Sequence, residues 1–207
     1  MKANYTKELL QSARTFSEIV WPEIGPLIGG GEFYSVEVRT VNGLRKILDE
    51  VAGIDGFQCC RDHKLVRSIA SRIQYGPRSH DSFTIRYHRA NGADTEWIKR
   101  LRAIHDPFAK WCFPSLTVQA YVSHEGHLLS ACVVPTLALY RYAHRWLNEN
   151  RPDRLFTVTN WRDGNSFIAV PWSGLEAENV PVRLWPQHED VSGNSPDLPP
   201  DEADASA

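Results

Sequence analysis

Residues 53–76 read GIDGFQCCRDHKLVRSIASRIQYG: two apolar runs joined by the charged turn Arg61-Asp62-His63-Lys64. The runs, 54–60 and 65–75, predict two antiparallel strands joined as a hairpin. A hairpin alone is marginally stable in water, so this stretch commits the chain to a larger sheet whose other strands must come from elsewhere in the sequence.

The flanking periodicities supply them. Residues 5–20 place Leu9, Ala13, Phe16 and Val20 at helical spacing, with Glu8, Gln11 and Glu18 toward solvent. Pro22, Gly25, Pro26 and Gly29-Gly30-Gly31 then predict the end of that helix and a flexible joint. Residues 32–39 alternate as a strand, and 42–53 repeat Leu44, Ile47, Leu48 and Val51 as a helix with Asn42 as N-cap. Beyond the hairpin, 82–89 alternate as a strand with one basic face, and 94–104 read as a helix. Strands at 115–122 and 127–134, a helix at 136–149, and weaker strands at 155–159 and 166–171 complete the order. A mixed central sheet flanked by helices follows, in the mixed α/β (α+β) class. One globular domain spans 1–187; the Pro-, Ser- and Asp-rich residues 188–207 lack an apolar face and predict a disordered acidic tail.

Several classes are disfavoured. The longest near-apolar run, Leu128 to Tyr140, is broken by Ser130 and Pro135 and is shorter than the ~20 residues a bilayer requires. No N-terminal signal layout is legible, so the expectation is a soluble, cytoplasmic protein without a membrane partner, its Cys59, Cys60, Cys112 and Cys132 reduced. Adjacent Cys59 and Cys60 point to opposite faces of a strand, so they do not make a zinc pair. Gly29-Gly30-Gly31 follows a helix and has no accompanying lysine, unlike a phosphate-binding loop. No nucleophile-elbow serine is present.

Charge is unevenly spread. Residues 61–110 hold eleven Lys/Arg against five Asp/Glu, whereas 186–207 hold six acids and no Lys or Arg. Taking those six acids from the net −2 leaves a body of +4, able to meet a polyanion while the tail repels one or contacts a basic protein partner. Solvated faces with a passive acidic end account for the same pattern.

Asp55 at the entrance of the hairpin, with Arg72-Ile73-Gln74 on its second strand, resembles the PD-(D/E)XK nuclease superfamily, the restriction-endonuclease and Holliday-junction-resolvase type. The resemblance covers roughly residues 5–123. It implies an α-β-β-β-α-β core, a strand aspartate at Asp55, an early glutamate at Glu32 or Glu18, and a Mg²⁺ ion held by Glu32 and Asp55. Arg72-Ile73-Gln74 falls where that family has acid-x-lysine. Arginine cannot ligate Mg²⁺, and glutamine is a neutral substitute for lysine. A second register leads with helix 42–52 and Glu50 and puts Thr84-Ile85-Arg86 on the triplet strand. The implied catalytic set is Asp55, Gln74 and Arg72.

Arg72 and Gln74 share one face of their strand, and Thr84, Arg86 and His88 share one face of the next. If the strands are neighbours, these side chains form a basic patch for phosphate and base contacts, with Lys64 contributing from the turn. Trp97 and Trp146 lie on helices, where core packing is the plain reading, whereas Trp161 and Trp172 lie near loops and could be exposed. Three readings result: an atypical metal-dependent DNA nuclease of bacterial type, a non-catalytic accessory protein of a mobile element or defence system, or another enzyme using His88, His105 or His124.

Overall fold

The computed structural model describes residues 10–36, 43, 47–105, 113–149, 151, 155–159 and 164–186. The expectations for Cys112, Trp161, the Asn42 cap and the tail 188–207 lie outside the described residues, as does the side chain of Glu50.

The helical segment 10–24 buries Phe16, Val20 and Ile24, one stripe at four-residue spacing. Pro22 does not end it. The turn Phe16–Val20 is π-wound, with the Trp21 N–H reaching back to the Phe16 carbonyl. That wider turn accommodates a proline ring that would crowd the carbonyl four residues before it in an α-helix. The triple glycine that follows is a pinned loop. The Gln58 Nε2 donates to the carbonyls of Ile28 (3.1 Å) and Gly30 (2.6 Å).

The strands are β1 (Glu32–Ser35), β2 (Gly56–Cys60), β3 (Leu65–Tyr75), β4 (Ser82–His88), β5 (Leu116–Val122), β6 (Leu128–Pro135), β7 (Phe156–Thr159), β8 (Ser166–Pro171) and β9 (Arg183–Trp185). The predicted hairpin is β2–β3, antiparallel from Cys60↔Leu65 to Gly56↔Ile69. One mixed sheet runs β1-β2-β3-β5-β6-β9, and β4-β8-β7 form a second, antiparallel sheet. The fold is mixed α+β.

The departure that matters most is β4. It does not pair with β3. It pairs with β8, and β3 instead takes β5 as a parallel neighbour, Arg72↔Gln119 in register. The crossover from β3 to β5 passes through β4 and the helix Glu96–His105, consistent with the long connection a parallel pair requires.

Two cores result. Val118, Ala120 and Val122 on one face of β5 pack with Phe16, Val20 and Ile24. On the opposite side, Tyr121 joins Phe83 and Ile85 of β4, Ile168 of β8, and Leu139 and Tyr140 of the helix Thr136–Asn148. Because β5 is covered on both faces, all seven of its residues are buried. Trp97 and Trp172 are core residues, so the expectation of an exposed Trp172 is corrected: it caps the interior from the short helix Trp172–Ala177. No helix among the described residues is long and apolar enough to cross a membrane.

Candidate functional site

Because β4 leaves the large sheet, one face of β3 and β5 is overlaid by β4 and the helix Glu96–His105 without being zipped to them. A cleft of about 760 Å³ lies between them. Thr84 is the junction. The Arg72 Nη1 donates to the Thr84 carbonyl (2.9 Å), while the Thr84 N–H and hydroxyl donate to the Gln119 Oε1 at 3.3 and 3.1 Å. Gln74 approaches the Thr84 hydroxyl at 3.5 Å.

Two guanidinium groups lie over one ring. Arg72 and Arg86 lie 5.2 and 5.7 Å from the centroid of Phe167, the cross-strand partner of Arg86 on β8. Arg72 also stands 3.9 Å from Glu96. Burial lowers the Arg72 pKa from its ordinary value; Glu96 opposes that shift and Arg86 adds to it. Tyr140 donates to the Glu96 Oε1 at 2.8 Å. Burial raises its phenol pKa well above the ordinary value, and the Glu96 charge pushes the same way.

Arg100 closes one end of the cleft. Only 4% exposed, it donates to the Ala52 and Gly53 carbonyls at 2.5 and 3.0 Å, holding the end of the wound segment Ile47–Ala52. The cleft walls carry five Lys/Arg against three Asp/Glu, and Asp94, one of those acids, is ion-paired with Arg102. The cleft is therefore cationic.

The sequence-predicted residues divide. Asp55, Arg72 and Arg86 line the cleft, and Gln74 sits beside it. His88 is exposed: a bulge between Arg86 and His88 pairs them with the successive residues Phe167 and Ser166, so they face opposite sides. Lys64 lies in the hairpin turn, eight positions from Arg72 and thus roughly 26 Å away along β3. Glu18 is exposed on the first helical segment. His105 and His124 are exposed, at a helix end and in the β5–β6 turn.

The Glu32–Asp55 metal pair is not assembled. Glu32 is opposite Cys59, while Asp55 lies one position beyond the Ser35↔Gly56 pair, a separation of roughly 13 Å along the ladder. One Mg²⁺ ion with ligands at about 2 Å cannot span that. Glu32 accepts a hydrogen bond from the Tyr34 hydroxyl, and the Asp55 Oδ2 accepts from the Ser71 N–H at 2.5 Å and the Ser71 hydroxyl at 3.4 Å. The residues present do not fit the expected ion. Of the expected catalytic set, Asp55 bonds the backbone of β3, while Arg72 and Gln74 reach toward β4.

Sequence reasoning missed Gln119, Lys99, Arg100 and Phe167. The spacing of Glu96 with Lys99 and Arg100 signals a helix ion-pair face, which conceals a cleft wall. Gln119, in a strand otherwise apolar but for Thr117, was the legible sign of a buried polar requirement. No family model matches this chain, and no curated protein matches it.

Proposed function

We propose that the protein engages nucleic acid through this cleft and holds it without a metal-dependent cutting centre. The observation that carries the reading is the convergence of Arg72 and Arg86 on Phe167, with Arg89 and Lys99 on the surrounding walls. Guanidinium forks suit phosphate oxygens. The order of helical segment, β1, β2, β3, helix Glu96–His105 and β5 supports a restriction-endonuclease-like core with β4 interposed. The separation of Glu32 from Asp55 favours the non-catalytic, accessory form of that core over an active nuclease.

Fluorescence anisotropy with short single-stranded and duplex DNA tests this. Binding is expected at low salt and should weaken steeply as salt rises, because cationic contacts release counterions from the phosphates. The same DNA incubated with Mg²⁺ or Mn²⁺ should stay intact. Absence of binding at low salt rejects the reading, and cleavage that disappears in Asp55→Ala rejects its non-catalytic form.

A further inference from the structure

Among the described residues, the buried side-chain polar atoms of the cleft walls that lack a hydrogen-bond partner are all donors. Gln119 is 1% exposed and lines the cleft, and its Nε2 has no hydrogen-bond partner among the described residues. Its orientation is set by Thr84. A backbone N–H can only donate, so the amide oxygen must face it and the NH₂ must face away. Arg86 and Arg100 line the same cleft, and the Nε of each is likewise buried and unpartnered among the described residues. The Ser35 Oγ and Gln58 Oε1, buried oxygens without a hydrogen-bond partner among the described residues, belong to residues outside the cleft walls.

Buried donors without acceptors are costly, and a ligand that supplies acceptors alone would satisfy them. Some nucleobase edges, such as guanine N7 and O6, bring acceptors alone, but they are uncharged and so match the buried arginines less well. A phosphoryl group brings only acceptor oxygens and negative charge. The cleft also reaches down to the fully buried Leu139 of the core, which closes its floor there. An internal phosphodiester of a continuous strand would have to bend sharply to reach such a floor, whereas a strand end enters directly. We infer that the cleft receives a terminal phosphate of a nucleic-acid strand, with the Gln119 Nε2 and the Arg86 guanidinium as its donors. This assignment rests on the nucleic-acid reading above.

The test is competition against a labelled single strand by four unlabelled strands of one sequence and length: 5′-phosphorylated, 3′-phosphorylated, unphosphorylated and circularised. One of the phosphorylated linear strands should compete at roughly tenfold lower concentration than the unphosphorylated and circular ones. Gln119→Glu keeps an acceptor for Thr84 and replaces the donor by a negative oxygen, so it should bring that ratio toward one. Equal competition by all four strands with the wild-type protein overturns the terminal-phosphate site and leaves nucleic-acid binding standing. Failure of the labelled strand itself to bind overturns both.

Discussion

Arg72 and Thr84 belong to different sheets, and the Arg72 Nη1 donates to the Thr84 carbonyl at 2.9 Å. The same guanidinium lies over Phe167, so one side chain ties β3 to both β4 and β8. Arg72→Lys should therefore lose stability by about 1–3 kcal/mol, because an ammonium cannot both bond the carbonyl and stack on the ring. Urea unfolding measures this, and a wild-type midpoint in the lysine variant would show that the tie contributes nothing.

Gly53 has φ of 62°, and a Cβ placed there would lie 2.6 Å from the Arg100 Nη2. Gly53→Ala combines backbone strain with displacement of the guanidinium that holds Ala52 and Gly53, for a loss of about 1–3 kcal/mol. Combined with Arg100→Lys, the two losses should be less than additive, since both disturb one contact. Full additivity in a double-mutant cycle would contradict this coupling.

Asp55 bonds the Ser71 backbone rather than pairing with Glu32. Asp55→Ala should cost about 1–3 kcal/mol by leaving that N–H without its acceptor, and Asp55→Asn should cost less. Melting curves recorded with and without Mg²⁺ should coincide for wild type and both variants. A Mg²⁺-dependent rise in Tm confined to the wild type would place an ion at Asp55.

Tyr140 makes stability pH-dependent in the alkaline range. The unfolded chain releases this phenol proton near the ordinary value of about 10, whereas the folded state holds it well above that. The folded form then carries more protons, so its stability is fully present below pH ~10 and falls as pH rises beyond. Tyr140→Phe should flatten the fall in urea-unfolding free energy between about pH 8 and about pH 11. Tyr121, raised by burial in the same direction, leaves a residual slope. An identical slope in wild type and variant would assign the effect elsewhere.

Most elements were legible from local periodicity. The predicted strands 82–89 and 115–122 appear as Ser82–His88 and Leu116–Val122, and the helix 136–149 as Thr136–Asn148. The strand Arg183–Trp185 was missed, since three residues hold no period to read, and the helix Trp172–Ala177 was missed as a short segment directly after a proline. The site was legible in fragments. Arg72 and Arg86 could be named, but a bulge, which adds a residue without a sequence mark, turned His88 away from them.

The sequence by itself determined which side chains share a face, because side-chain alternation along a strand is a local property. Arg72 with Gln74, and Thr84 with Arg86, follow from that alone. Tertiary structure decided which faces meet. Alternation does not encode a strand's neighbour: every extended segment offers the same backbone donors and acceptors, and the choice falls to the burial of whole faces. β4 buries Phe83 and Ile85 in the core shared with Ile168 of β8, which leaves β3 to pair with β5 and brings Gln119 beside Arg72. The same ladders hold Glu32 and Asp55 apart, so the hairpin's first acid braces the sheet and the cationic cleft forms beyond it.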